Sequence, residues 1–174
     1  EEVYVGLGKE EEVTAEKIRQ AIAKAIKEVK KLNVDRATVR FIDLEQLSTV
    51  EVVKAIAEAV VFADYEFNKY KEPKKDKVQL KEVRIASVAE EKVAAAEKAL
   101  EEARILIDST ILARDLVNEP ANVLVPAELA KRVEAAGLEA GFQVEIKNKE
   151  EIEALGMDAY LNVAKGSIHE PKLI

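Results

Sequence analysis

The chain contains a single histidine, His169, and it is the first residue whose type suggests chemistry. It lies in a polar Ser-Ile-His-Glu-Pro segment, and the chain contains no cysteine. A Ser-His-Asp triad would therefore have to use His169, and a Cys-His pair has no thiol to use. A zinc site built on it would need carboxylates at every remaining position, which is unusual for zinc. The sequence thus favours neither a catalytic role nor a metal-binding role for His169.

Acidic residues are numerous, but their spacing is typical of helix surfaces. The chain has 34 Asp and Glu against 27 Lys and Arg, for a net charge of −7. Runs such as 10–12 and 101–102 are interpreted as solvated faces or as first-turn charges that favour a helix N-terminus. Carboxylate catalysis or two-metal binding needs acids that converge in a pocket, and no such set stands out. We predict no catalytic residues and no metal ligands in this chain.

Two glycine-containing turns are candidates for anion binding. Gly6-Leu7-Gly8 follows a predicted strand, but the third glycine of a dinucleotide loop would fall at Glu11, and the neighbouring acids would repel a phosphate. Lys165-Gly166-Ser167 also follows a predicted strand and lacks the full phosphate-loop pattern. A structural turn is the favoured interpretation of both.

Composition excludes several classes of protein. The net charge of −7 argues against a non-specific nucleic-acid binder, which needs a basic field. The absence of cysteine excludes disulfides and fits a reducing cytoplasm. No apolar run approaches the roughly 20 residues that cross a membrane, so we predict no membrane association. The 48% of hydrophobic residues is enough to form a core.

The first half of the chain alternates strand and helix patterns. A helix capped by Thr14 is predicted to run to about Leu32 and stop at Asn33. A capping box, Ser48 with Glu51, opens a second helix to about Phe67. Strands are predicted over 3–5, 37–44 and 81–88, with a solvated Lys-rich loop at 69–81. This alternation predicts parallel strands with helices on the sheet faces.

A helix pattern without Gly or Pro then covers about 89–117, a length of about 45 Å that predicts a bridge between two domains. We draw the domains at 1–88, 89–119 and 120–174. The last domain is predicted to hold a helix from Pro126 to about Ala136 that ends near Gly137 or Gly141. Val125 provides no capping side chain for it. Strands are predicted over 142–146, 159–164 and 172–174, and a short helix at 149–155 is predicted to stop at Gly156.

Between the long helix and the next one lies a connector with two Asn and two Pro: Asn118, Pro120, Asn122 and Pro126. Pro120 disfavours helical geometry at the residue before it, and Pro126 is tolerated in a first helical turn. The two Asn side chains are expected to satisfy backbone groups at the broken helix. We interpret these four residues as a structural junction motif.

Residues 113–122, followed by Pro126, closely resemble the domain junction of the leucine aminopeptidase (cytosol aminopeptidase) family. Further similarity follows in the family's order: Val5-Gly6-Leu7-Gly8-Lys9-Glu10, then Tyr65-Glu66-Phe67-Asn68-Lys69-Tyr70, then Val163-Ala164-Lys165-Gly166-Ser167 with Pro171-Lys172-Leu173-Ile174. The resemblance implies an α/β fold: an incomplete, macro-like N-terminal domain joined by a long helix to the first βα units of a catalytic domain.

The resemblance also implies a function. Members of the family are cytoplasmic hexamers that remove N-terminal residues such as Leu from peptides, using two divalent ions, Zn or Mn. The family's metal-binding motifs lie downstream of the last residue here. We therefore expect an internal segment with an architectural role, in assembly and active-site access, that is inactive as an isolated chain.

Two alternatives stay open at this point. The chain could be a non-catalytic interaction module, with an exposed sheet edge that pairs with another chain, or a DNA-associated regulatory module. It could also be an α/β module that binds a nucleotide or ADP-ribose. The net charge disfavours DNA binding, and the acids after Gly8 disfavour a nucleotide.

Overall fold

The computed structural model describes residues 1–72 and 78–174. The chain divides into two compact units, Glu1–Leu112 and Ala113–Ile174, and the division falls inside a long helix. The predicted loop at 69–81 falls partly on 73–77, which lie outside the described residues. The three domain ranges drawn from the sequence stay predictions.

The helices of the first unit begin where their capping residues predict. Helix α1 spans Ala15–Lys31, and the Thr14 side chain accepts a hydrogen bond from the backbone N–H of Lys17. Helix α2 spans Thr49–Asp64 and begins with the complete capping box of Ser48 and Glu51. It ends three residues before the predicted Phe67, because the backbone at Tyr65 leaves helical geometry.

Two parallel strands follow these helices, as the alternating pattern predicts. Strand β1 spans Arg36–Arg40 and strand β2 spans Glu82–Ala86, paired in register from Arg36 with Glu82 to Arg40 with Ala86. Both are shorter than the predicted ranges of 37–44 and 81–88. Helix α3 then runs over Glu90–Asn118. The α/β fold class is confirmed.

The core of the first unit lies between the helices and one face of the sheet. Fully buried aliphatic side chains each contribute about 1.5–3 kcal/mol. They come from α1 and α2, and small residues of α3 pack against them: Ile18, Ile26, Val52, Val53, Ile56, Ala96 and Ala99. Val39, Val83 and Ile85 of the strands pack on this cluster. The alternate strand residues Arg36, Thr38, Arg40 and Arg84 are exposed, so the described helices of this unit cover one face of the sheet.

The predicted strand at 3–5 is wrong. These residues pair with no strand among the described residues, and Tyr4 is 86% exposed. An alternating apolar pattern favours extended backbone, but a strand forms only where a neighbouring backbone supplies hydrogen-bond partners.

The second unit is mainly helical. Helix α4 spans Pro126–Ala140 and stops at Gly141, the later of the two predicted ends, where φ is left-handed at 77°. Val125 supplies no capping hydrogen bond, as predicted. Helix α5 spans Lys149–Ala154, and Gly156 follows it with a φ of 70°.

None of the three strands predicted in this unit forms a full strand. The range 159–164 belongs to helix α6, Asp158–Ala164, because its Ala and Leu residues favour helix and Val163 is its one β-branched residue. The predicted strands 142–146 and 172–174 reduce to one antiparallel bridge between Lys147 and Leu173. Within the described ranges, no helix is long and apolar enough to cross a membrane.

Candidate functional site

The junction between α3 and α4 is built from local hydrogen bonds. The side-chain amide of Asn118 donates to the Arg114 carbonyl at 2.8 Å, which satisfies an acceptor of the last helical turn. The Pro120 carbonyl accepts the N–H groups of Val123 and Leu124 at 2.8 and 2.9 Å. The chain therefore turns tightly after Pro120, where the helix cannot continue.

A buried carboxylate lies at the centre of this junction. The Glu119 side chain is 2% exposed, and one of its oxygens lies 2.7 Å from Arg132 Nη1 on α4. Arg132 also binds Glu128 through Nε at 2.7 Å. A buried charge needs a partner of opposite sign, so this ion pair ties the end of α3 to the second turn of α4.

The charges of Arg132, Glu119 and Glu128 suit a structural role, in which they hold the backbone of the junction in place. The hydrogen bond to Glu119, and then that to Glu128, raises the pKa of Arg132 above its usual value. An arginine is charged at neutral pH and the raised pKa keeps Arg132 so, which makes its guanidinium unsuited to proton transfer. The arrangement holds backbone geometry at the junction.

Pro120 and Asn122 are exposed, and Pro126 is the first residue of α4. The structural roles assigned to these residues and to Asn118 stay predictions. Sequence reasoning missed the contact between Glu119 and Arg132, which are 13 positions apart. The spacing of Glu128 and Arg132, at i and i+4, was the available signal that an arginine of α4 is held in place.

The other sequence candidates do not come together. The backbone N–H of His169 donates to Ser167 Oγ at 3.0 Å, in an exposed turn. Lys165 Nζ donates to the Asn162 side chain at 2.6 Å. In the part of the chain that the structure describes, no group of three or more His, Asp or Glu residues is placed to hold a metal ion. The described residues therefore do not fit a two-metal centre.

A polar depression of about 550 Å³ lies in the first unit beside Lys30. Lys30 Nζ binds Glu66 at 2.8 Å and Asp64 at 3.0 Å. Burial alone would lower the pKa of Lys30, but the hydrogen bonds that Lys30 donates to Glu66 and Asp64, together with the negative charges of these residues, outweigh burial and raise it. A lysine held charged in this way is unsuited to act as a base or nucleophile, which requires a lowered pKa.

Comparison with known proteins assigns residues of both units to one protein family. A family model described as the cytosol aminopeptidase family, N-terminal domain, matches residues 3–74. A second model, the catalytic domain of the same family, matches residues 111–174. The two matches define the class of this protein: residues that match an aminopeptidase N-terminal domain are followed by residues that match the catalytic domain of the same family. The chain belongs to the cytosol aminopeptidase family, which confirms the resemblance found in the sequence.

Curated relatives match along nearly the whole chain. A probable cytosol aminopeptidase of Clostridium perfringens is 44% identical over 174 residues, covering 99% of this chain and 35% of the relative. A probable cytosol aminopeptidase of Treponema denticola is 40% identical over 175 residues, covering 99% of this chain and 36% of the relative. The chain thus spans about a third of the length of these relatives.

Solved structures show the same fold. The bottromycin maturation enzyme BotP, in complex with Mn, superposes with a TM-score of 0.81 at 28% identity, covering 97% of this chain and 34% of that one. A mutant of tomato leucine aminopeptidase superposes with a TM-score of 0.77 at 26% identity, covering 90% of this chain and 32% of that one.

Proposed function

We propose that this chain is part of a two-metal leucyl aminopeptidase that removes N-terminal residues from peptides, and that its own role is architectural. The observation that carries the proposal is the order of the two family matches: the N-terminal domain over 3–74, then the catalytic domain from 111. Relatives about three times as long as this chain support it.

The metal centre of the intact enzyme would be held by residues beyond these 174. The manganese in the BotP structure supports a metal cofactor for the intact enzyme, and from the family resemblance we propose two divalent ions, Mn or Zn. Acids such as Glu12, Glu102 and Asp108 lie in ion pairs at the surface. Among the described residues, no three His, Asp or Glu side chains converge on a common point, as a metal centre requires. We expect no metal-dependent turnover from the isolated chain.

The architectural role has three parts. The range 1–88 would form part of the N-terminal domain, 89–119 the connecting helix, and 120–174 the beginning of the catalytic domain. The buried pair of Glu119 and Arg132 would hold the first turn of that domain in one geometry. We further propose a cytoplasmic homohexamer as the assembled form, with peptides as its substrates.

A chimera tests this proposal. The corresponding third of the Clostridium perfringens relative is replaced by this chain, and hydrolysis of leucyl-p-nitroanilide is measured with and without Mn²⁺. We expect manganese-dependent turnover by the chimera and none by the isolated chain. A folded chimera without activity would contradict the assignment, as would activity that follows the 19.3 kDa mass of this chain during purification.

The junction is tested in the same chimera with Glu119→Gln. The substitution keeps the shape of the side chain and removes the charge that faces Arg132. We expect an unchanged KM and a faster loss of activity on heating, because the contact positions backbone and touches no substrate. Glu139→Gln, on the exposed surface of α4, is the matched control and should leave both quantities unchanged. An equal effect of both substitutions would refute the role of Glu119.

The two alternative functions are tested on the isolated chain. Because the net charge is −7, we expect no salt-sensitive mobility shift with duplex DNA. Because Glu10–Glu12 form a short 3-10 turn directly after the Gly8 turn, we expect no heat of binding for ADP-ribose. A signal in either experiment would favour the corresponding alternative over a purely architectural role.

A further inference from the structure

The apolar alternation of β1 and β2 determines the register of their pairing only in part. A slip of one residue would turn the apolar side chains of β2 away from the core, so the alternation excludes it. A slip of two residues keeps every side chain on its own face, because side chains alternate with a period of two. The strands are parallel and the crossover between them contains α2, so no tight turn fixes the register either. Another contact is needed to select the observed register.

Asn33 makes such a contact just before β1. It follows the end of α1 with a φ of 58°, a left-handed conformation that Asn adopts more readily than most residues. Its side-chain oxygen Oδ1 accepts a hydrogen bond from the Val78 N–H at 2.7 Å. Val78 lies a few positions before β2, so a slip of two residues would move it by about 6.6 Å relative to Asn33 and break this bond. The observed register is therefore the one that the Asn33 side chain favours.

Lys30 fixes the position of the turn that contains Asn33. Its Nζ donates to the Glu66 carboxylate at 2.8 Å and to the backbone carbonyl of Asp64, the last residue of α2, at 3.0 Å. Nζ also lies 3.0 Å from the Asp64 carboxylate. Lys30 and Asn33 are three positions apart, at the same end of α1. The end of α1 is thus held against the end of α2, and Asn33 is held where it can reach Val78.

The charged residues on the outer face of the sheet favour the same register. Arg36 lies opposite Glu82, with 3.5 Å between the two side chains, and Arg84 lies opposite Thr38. A two-residue slip in one direction would place Arg84 opposite Arg36, and a slip in the other direction would place it opposite Arg40. Like charges directly opposite each other on neighbouring strands are destabilising. Both slips are therefore disfavoured on this face as well.

We propose that the Asn33 side chain selects the register in which β2 pairs with β1, and that Lys30 holds the end of α1 where this contact can form. Asn33 is a positioning residue, because it acts on the strands through the backbone of Val78. These contacts all lie inside the first unit. The role assigned to Asn33 does not depend on the proposed peptidase activity.

The absence of cysteine allows the register to be measured with pairs of introduced cysteines. Thr38→Cys is combined with Arg84→Cys, its partner in the observed register, or with Glu82→Cys or Ala86→Cys, its partners after a slip of two residues. Each pair is equilibrated in a buffer of reduced and oxidised glutathione, in which glutathione disulfide is reduced as the two thiols are oxidised. The fraction of intramolecular disulfide is measured by mass spectrometry. We expect the pair of positions 38 and 84 to give the highest fraction.

The same pairs are then placed in chains with a substituted Asn33. Asn33→Gly keeps the left-handed conformation without strain and removes the acceptor. We expect the yield of the slipped pairs relative to the observed pair to rise about fivefold, which is the effect of one net hydrogen bond. Asn33→Asp keeps an acceptor oxygen and is the matched control, which should leave the ratio unchanged. An unchanged ratio in Asn33→Gly overturns the proposal, and so does an equal rise in Asn33→Asp.

Lys30→Met gives a second test that leaves the turn at Asn33 unaltered. It removes the ammonium group bound to Glu66 and Asp64 and keeps an aliphatic side chain of similar length. We expect the ratio of slipped to observed pairs to rise, with the helical circular dichroism unchanged. Lys24→Met, on the exposed surface of α1, is the control and should leave the ratio unchanged. Equal ratios in Lys30→Met and Lys24→Met would overturn the role of Lys30, and this comparison decides the question if Asn33→Gly does not fold.

Discussion

Replacement of Gly137 by alanine should destabilise the second unit, because the backbone of α4 there lies against the segment that follows the helix. A Cβ at this position would be 2.4 Å from Val144 Cγ2 and 3.1 Å from the Phe142 carbonyl oxygen. No side-chain rotation of the new residue relieves a clash made by Cβ itself. Either Val144 or the backbone must move.

The magnitude follows from two opposing effects. Overpacking costs about 3 kcal/mol at the upper end of its usual range, which suits a contact of 2.4 Å. Alanine is better than glycine in a helix by about 1 kcal/mol. The net loss at Gly137 is therefore about 2 kcal/mol, equivalent to roughly thirtyfold faster amide exchange through opening of α4.

Hydrogen exchange of the peptides from α4, followed by mass spectrometry, measures this quantity without requiring the whole chain to unfold in one step. Adding Val144→Ala to Gly137→Ala removes the clashing methyl group and should restore most of the protection. Gly166→Ala is the control, since a Cβ there meets no atom within 4 Å, and it should change stability by less than about 0.5 kcal/mol. Protection of α4 equal to that of the unmodified chain in Gly137→Ala would refute the reasoning.

Three further predictions concern the first unit. Ser48→Ala removes the capping box of α2 and should cost about 1 kcal/mol, read as a lower thermal midpoint. The side-chain and backbone hydrogen bonds of Ser48 lower the pKa of Glu51. These bonds therefore stabilise the fold above the ordinary carboxyl pKa, and the stabilisation is lost as the pH falls through the lowered pKa of Glu51. Glu51→Gln should make stability less dependent on pH in this acidic range. Burial would lower the pKa of Lys30, but its hydrogen bonds to Glu66 and Asp64 outweigh burial and raise it. Lys30 therefore stabilises the fold below the ordinary lysine pKa, and this stabilisation disappears as the pH rises through the raised pKa of Lys30. An unchanged dependence of stability on alkaline pH in Lys30→Gln would contradict this.

Helix starts were predictable because their causes are local. The Thr14 cap and the Ser48–Glu51 box lie within a few residues of the backbone groups they satisfy. The end of α4 is also set locally, by the left-handed φ of Gly141. The sequence alone offered both Gly137 and Gly141 as the end of this helix. What separates the two glycines is the close approach of Val144 to Gly137, a contact that the pattern along the helix does not record.

Strands were predicted less well because their stability comes from elsewhere in the chain. The range 3–5 has the alternation of a strand but no neighbour in the described residues. The range 159–164 has apolar residues too, and without a pairing backbone the helix preference of its Ala and Leu residues prevails. By contrast, β1 and β2 pair with each other in parallel, as the alternation of strands and helices predicts.

The sequence by itself determined the family, the α/β class, the positions of the main helices and the break at Pro120. Each of these follows from residues close together in the chain, whose spacing sets caps, turns and apolar faces. The tertiary structure alone decided that Glu119 is buried against Arg132 and that the range 3–5 pairs with no strand among the described residues. Burial and strand pairing depend on residues brought together from distant positions, so no local pattern specifies them.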